Sequence, residues 1–495
     1  MNILVVASEV VPFAKTGGLA DVAGALPRAL EQVGQSVSVV MPCYAVARRG
    51  RTILATDWKV EIPIGKKWVQ GEIYRTCLPD SDVPVYLIDQ PAYFDRESLY
   101  GEKGKDFFDN CERFVFFSRA VLELARRSPT PIDVIHVHDW QTALVPVYLH
   151  EMYRGYPAIR AAGTLCTIHN LAFQGKFWHW DMLLTGLDWR LFNWRQLEFY
   201  GHLNFLKAGI IFSDQVNTVS RRYADEIQTP EFGCGLEGVL QARGEDLCGI
   251  PNGIDYSVWN HENDFAIAAN YNEDTFVHGK PKCKEALQIE QRLPVRPEVP
   301  LFGLVTRLDD QKGLDLLAAA AESFLSRDVQ LVVLGTGHVK YQTLLEEFSR
   351  RFTGKIGLNL RFDDGLAHRI FAGSDICLMP SRYEPCGLNQ LISLKYGTVP
   401  LVRATGGLAD TVVDATSDTL ADGTATGFRF EAYTPQALLG CLDRALELWH
   451  VRDAWLRLSR TCMMQDWSWT RSASEYVKLY EHIRERRADK VCMSK

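Results

Sequence analysis

Two periodicities alternate along the chain. Short runs rich in β-branched residues at 2–7, 36–41, 83–88, 134–137 and 164–168 read as strands, and the longer amphipathic stretches between them, such as 107–126, read as helices. A second series opens near Pro300 with Leu301–Val305, Gln330–Leu334, 358–362, Ile376–Met379 and 399–402, each again followed by a helical pattern. Strand and helix in alternation predict parallel sheets covered on both faces, and two series predict two doubly wound α/β domains in tandem. In such sheets ligands sit beyond the carboxyl ends of the strands. The candidate chemistry is therefore sought in the loops that follow them.

The stretch between the two series, 244–300, carries Pro251-Asn252-Gly253, a polar and poorly periodic run, and Leu293-Pro294-Val295-Arg296-Pro297. We place the domains at 1–245 and 246–470, with a C-terminal helix in 471–495 that packs on either of them. Length agrees, because 495 residues exceed one ordinary core. Composition changes little: 47% hydrophobic and 23% charged residues describe a globular protein. Charge excludes more. A net charge of −7 gives no global field for nucleic acid or an anionic membrane, so any phosphate site is local. Residues 1–7 read as a first strand and not as a signal peptide, and no apolar run approaches the roughly 18 residues of a membrane span. Twelve cysteines with no C-x-x-C pair read as reduced, mostly buried thiols of a cytoplasmic protein.

Several strand-end loops carry chemistry. Lys15-Thr16-Gly17-Gly18-Leu19-Ala20-Asp21 follows the first strand and opens a helix. Paired glycines, a helix N-terminus and a lysine form a plausible diphosphate cradle, although a structural turn has the same pattern. It lacks the spacings of a P-loop and of a dinucleotide fingerprint. Gly335-Thr336-Gly337 reads more simply as a tight turn. Arg307 and Lys312, five residues apart after Leu301–Val305, either grip one diphosphate or form surface ion pairs. Glu384, in Ser381-Arg382-Tyr383-Glu384-Pro385-Cys386-Gly387-Leu388, follows Ile376–Met379. It suits either a sugar hydroxyl and developing positive charge or a helix N-terminal charge beside a buried thiol. Thr405-Gly406-Gly407-Leu408-Ala409-Asp410 repeats the first glycine motif in the second series.

His136, His138 and Asp139 end one strand of the first series, and His169-Asn170 ends the next. Alternate strand residues face one way, but no acidic or Cys partner stands in metal-binding spacing, so a polar lining for sugar hydroxyls is favoured and no metal is predicted. The aromatic stretch 177–180 reads as a sugar-stacking face or as core.

Lys-Thr-Gly-Gly-Leu-Ala-Asp-Val, His-Asp-Trp, Thr-Ile-His-Asn-Leu-Ala-Phe-Gln-Gly, Pro-Asn-Gly-Ile-Asp, Arg-Leu-x-x-Gln-Lys-Gly and Arg-Tyr-Glu-Pro-Cys-Gly-Leu occur here in the order of the bacterial glycogen synthase and plant starch synthase family, which the chain resembles from Met1 to about Trp469. The resemblance implies a GT-B glycosyltransferase, with two Rossmann-like domains facing across a cleft. It also implies retaining transfer of glucose from ADP-glucose to the non-reducing end of glycogen or a linear α-1,4-glucan, without a cofactor. By the same resemblance, Arg307 and Lys312 hold the diphosphate, Lys15 with Gly17 and Gly18 approach it, and Glu384, Asp139 and His169 surround the glucose. Asn252, Cys386, Gly387, Leu388, Gly406 and Gly407 complete the donor site. Phe362 stands where Tyr often stacks on adenine, and Asn389 stands where Thr is common. UDP-glucose as donor and an inactive glucan-binding scaffold are the alternatives; the fold type alone also serves epimerases and phosphorylases.

Overall fold

The computed structural model describes residues 1–102 and 104–493, so positions 494 and 495 of the C-terminal helical segment lie outside the described residues. The chain divides into two compact units, one comprising Met1–Asn252 with the C-terminal stretch from Trp469, the other Gly253–Ser468.

The first unit is built on a nine-stranded sheet. Its strands are β1 (Asn2–Val6), β2 (Ser36–Pro42), β3 (Leu54–Ile64), β4 (Lys67–Cys77), β5 (Pro84–Asp89), β6 (Val134–His138), β7 (Gly163–Ile168), β8 (Gln215–Thr218) and β9 (Leu247–Gly249). They lie in the order β9-β8-β7-β6-β1-β2-β5-β4-β3. All neighbours from β9 to β5 are parallel, while β3 and β4 form an antiparallel hairpin on one edge. At the centre, Ile3–Val6 of β1 is an uninterrupted apolar run, as a strand covered by helices on both faces requires. Ile3 to Val6 is almost wholly buried. The edge hairpin instead alternates, with Val60, Ile62 and Ile64 inward and Lys59, Glu61 outward, the pattern of a sheet with one wet face. Helix α1 (Gly18–Gln32) follows β1, and the last helix, α4 (Trp469–Met493), packs on this unit against α1, β6 and β7.

The second unit carries a six-stranded, all-parallel sheet of β10 (Leu301–Val305), β11 (Gln330–Leu334), β12 (Ile356–Asn359), β13 (Ile376–Met379), β14 (Val399–Arg403) and β15 (Phe428–Phe430). Their order is β12-β11-β10-β13-β14-β15, the Rossmann arrangement. Helices α2 (Asn389–Lys395) and α3 (Gly406–Thr411) follow β13 and β14. The expectation of a strand at 358–362 is corrected here. The strand ends at Asn359, whose side chain donates to Gln291 and to the Val333 carbonyl, and the chain then leaves the sheet. The segment 244–300 also holds structure that its polar composition hid, a helix over Phe276–Glu290.

In both sheets the direction of chain progression reverses once, between β1 and β6 and between β10 and β13. The crevice outside the carboxyl ends of these switch strands is where an open α/β sheet binds ligands.

Candidate active site

In the first unit, β1 delivers Ser8 and Glu9 to the switch point. Glu9 is buried at the centre of a hydrogen-bond cluster. It accepts from the Thr16 amide, from Thr16 Oγ1 at 2.7 Å, from the Gly17 amide at 3.3 Å and from Tyr100 OH at 2.7 Å. The first free amides ahead of α1 are thus satisfied by a carboxylate. The Gly17 amide belongs to this cluster, so its part in a diphosphate cradle is not that of an idle donor. A Cβ on Gly17 would meet nothing within 4 Å. Lys15 projects from the same loop, half-exposed, with its ammonium 2.7 Å from Asp21. The Tyr100 segment is held from behind by the fully buried Arg113, which donates to the Leu99 carbonyl at 3.0 Å and to the Tyr93 carbonyl at 2.8 Å. Neither Glu9 nor Tyr100 carries a motif signal in the sequence.

Strands β6 and β7 bring Asp139 and His169 together. Asp139 sits at the end of β6 in the left-handed region at φ 55°, and its Oδ1 accepts the His169 amide at 2.7 Å. Burial pushes the Asp139 carboxyl up to about 7, opposed by the amides of His169 and Asn170. The imidazoles of His136 and His138 lie on one face of β6, ring centroids 4.1 Å apart. Burial lowers His136 and His169 to about 3 and His138 well below its ordinary value, so all three rings are neutral near pH 7. His138 Nδ1 lies 2.9 Å from His169 Nε2. His136 turns the other way, to Tyr480 OH of α4 at 2.8 Å and to Thr167 Oγ1 at 2.5 Å. Of the aromatic stretch, Phe177 packs on Phe205 with ring centroids 4.7 Å apart, whereas Trp178 and Trp180 are 62% and 49% exposed. Asn252 ends the unit, and its Oδ1 is buried without a hydrogen-bond partner among the described residues.

In the second unit, the loops after β10 and β13 meet directly. Lys312 Nζ lies 2.9 and 2.7 Å from the two Glu384 oxygens, and Ser381 Oγ donates to Glu384 Oε2 at 3.0 Å. Glu384 is buried and Lys312 nearly so. Arg307 stays on the surface, with Asp309 and Gln311 each at 3.5 Å. The glycine turn before α3 is a packing device. A Cβ on Gly406 would sit 2.0 Å from the Glu384 carbonyl oxygen, and one on Gly407 would sit 1.9 Å from that of Cys386. The Gly407 amide donates to the Glu384 carbonyl at 3.0 Å. Two turns thus lie backbone to backbone, and the second fixes the carboxylate loop of the first. Gly387, at φ 72°, and Leu388 lead into α2. Cys386 is buried and its carbonyl accepts from Gln390 at 2.9 Å. Asn389 donates to the Val305 carbonyl, which ties α2 to the end of β10. Phe362 stands 83% exposed in the loop beyond β12. Gly335 and Gly337 press on Thr306 and Leu308, and thereby support the Arg307 loop.

Two doubly wound units, with cations and a carboxylate gathered beyond their switch strands, fit the GT-B class of glycosyltransferases, and no helix among the described residues is long and apolar enough to cross a membrane. Residues 2–242 match the starch synthase catalytic domain, and residues 287–460 match the glycosyl transferases group 1 family. The glycogen synthase of Anaeromyxobacter dehalogenans is 47% identical over 491 residues, covering 98% of this chain and 99% of its own. That of Rhodopirellula baltica is 44% identical, covering 97% of each. The catalytic domain of starch synthase IV from Arabidopsis thaliana, solved bound to ADP and acarbose, superposes with a TM-score of 0.89 at 34% identity, over 98% of this chain and 99% of that one. A sucrose-phosphate synthase from Thermosynechococcus elongatus shares the fold alone, at 16% identity and a TM-score of 0.58 over 98% of this chain and 99% of that one. The chain belongs to the glycogen synthase family.

Proposed function

We propose that this glycogen synthase family member takes glucose from ADP-glucose, adds it to the 4-hydroxyl at the non-reducing end of an α-1,4-glucan with retention of configuration, releases ADP, and works in the cytoplasm. The observation that carries this reading is the Lys312–Glu384 pair beyond β10 and β13, buttressed by Ser381. One loop then offers Lys312 and Arg307 to a departing diphosphate. The other holds a carboxylate where positive charge builds on the sugar ring. ADP as the leaving group draws support from the Arabidopsis structure, which holds ADP and is alike over nearly the whole chain.

In this reading Lys15 completes the charge on the diphosphate, with Gly17 and Gly18 giving the approach its clearance. Gly387, Leu388 and the positive end of α2 serve phosphate or sugar oxygens. Gly406 and Gly407 act by fixing the Glu384 loop, while Cys386 shapes it. Phe362 offers an open ring face to adenine. Asn252 brings an acceptor oxygen that has no hydrogen-bond partner among the described residues. Asp139 and His169 grip the glucose hydroxyls. Glu384 is the buried carboxylate paired with Lys312, and Asp139 is largely protonated below about pH 7. That disfavours a double displacement through a second carboxylate. A same-face substitution follows, in which leaving ADP helps to take the acceptor proton.

The test is nucleotide release with glycogen at matched concentrations of ADP-glucose and UDP-glucose. Faster turnover of ADP-glucose is expected. Preference for UDP-glucose overturns the donor assignment, and glucan binding without release from either donor makes the chain a scaffold.

A further inference from the structure

His169 Nε2 and His138 Nδ1 face each other at 2.9 Å, and both rings are neutral. One of these two nitrogens therefore carries a proton and the other a lone pair. Which one is settled at the far side of the His138 ring. His138 Nε2 is buried and has no hydrogen-bond partner among the described residues. Were the proton on His169 Nε2, His138 would carry its own on Nε2, a buried N–H with no acceptor. Orphaned buried N–H groups are rare and costly, and an unmatched lone pair is tolerated better. His136 cannot intervene. The Thr167 hydroxyl donates to Asn217, so it accepts from His136 Nε2, and His136 Nδ1 accepts from Tyr480.

We propose that His138 is a positioning residue that donates from Nδ1 to His169 Nε2, and so holds His169 as the Nδ1–H tautomer, a hydrogen-bond donor toward a hydroxyl of the glucose being transferred. The second clause rests on the function proposed above; the first does not. His169 is partly exposed, and with Nε2 facing His138 its Nδ1 is the ring nitrogen left for a ligand. Its backbone is fixed independently by Asp139, which accepts its amide at 2.7 Å. The backbone is thus set by Asp139 and the ring by His138. A free imidazole of histidine favours the Nε2–H form, so this site selects the minor tautomer by a neighbour's hydrogen bond.

The test is two-bond 1H–15N correlation of histidine-labelled full-length protein without ligand, with His169→Gln used to assign the resonance. The wild-type chain should show His169 as Nδ1–H at pH 7. His138→Asn, which can place an amide donor where Nδ1 was, should keep that tautomer and most of the turnover. His138→Leu should move His169 toward Nε2–H and lower kcat by about three- to tenfold, the worth of one neutral hydrogen bond, with a smaller change in the KM for ADP-glucose. An Nε2–H signal for His169 in the wild-type chain overturns the proposal even where a variant fails to fold. A shifted tautomer in His138→Leu with unchanged kcat also overturns it. Failure of the proposed function reads differently, as a wild-type chain that shows the Nδ1–H tautomer but releases no ADP.

Discussion

Lys312→Met separates the two tasks of the Lys312–Glu384 pair. The ammonium sits under 3 Å from both carboxylate oxygens, and side-chain exposures of 17% and 8% leave little water to screen them. At an effective dielectric near 20, charges about 2.8 Å apart attract by roughly 6 kcal/mol, most of it offset by desolvation. Methionine fills the space but strands Glu384, which keeps only the Ser381 hydroxyl. Breaking such a pair from one side costs about 3–5 kcal/mol, and the residual exposure of Lys312 puts the expected loss near 3 kcal/mol. In a unit of this size that is a fall of roughly 6–12 °C in its calorimetric transition. Glu384→Gln strands the more exposed partner and should cost about 2 kcal/mol. The double variant removes both charges and should lose only about 1 kcal/mol, a coupling of roughly 4 kcal/mol in a double-mutant cycle. Turnover should not recover with stability, because the diphosphate loses its cation and the sugar its carboxylate. A drop of about 100-fold or more is expected in all three variants. Additive stabilities would refute the buried-pair argument, and a double variant that regains both stability and turnover would refute the catalytic one.

Asp139 gives a pH-dependent prediction. Its folded-state pKa is raised from the ordinary carboxylate value of 3.8 to about 7, so stability is greatest below about pH 4, where folded and unfolded chains both hold the proton, declines as pH rises from there to about 7, and is level above it. Asp139→Asn, whose Oδ1 still accepts the His169 amide, should therefore stabilise the chain at pH 8 by up to roughly 4 kcal/mol and leave it unchanged near pH 4 in urea titrations. An equal effect at both pH values would contradict the burial argument. Gly406→Ala should disturb the Glu384 loop, since φ is +46° and the new Cβ meets a backbone carbonyl at 2.0 Å. Turnover should fall at least tenfold, and an unaltered kcat would show that the loop is not held by this contact. Tyr480→Phe removes the donor to His136 Nδ1 and should cost about 1–2 kcal/mol in thermal unfolding, with little change in the KM for the donor sugar.

The strands that the sequence shows best are those buried on both faces. Leu301–Val305, Gln330–Leu334 and Ile376–Met379 are apolar but for Gln330 and coincide with β10, β11 and β13. Strand β8, Gln-Val-Asn-Thr, escapes because its polar side chains are satisfied by distant partners, as Asn217 is by Thr167 and Tyr476. The β3–β4 hairpin escapes because half its residues face water. The loops that carry the candidate site were legible because glycines and charges stand out at strand ends. The pairing of Lys312 with Glu384 spans 72 residues and depends on β10 and β13 being sheet neighbours, which no local pattern encodes. The same holds for Glu9, an unremarkable acid after β1 until Tyr100 and the Thr16 amide close on it.

The central claim is glucan extension with retention, and following the anomeric carbon tests it most directly. ADP-glucose labelled with 13C at C1, incubated with a linear α-1,4-glucan, should yield label in an α-1,4 linkage at the non-reducing end in step with ADP release. Label recovered as a β-linkage, as free glucose or as glucose 1-phosphate would contradict the account.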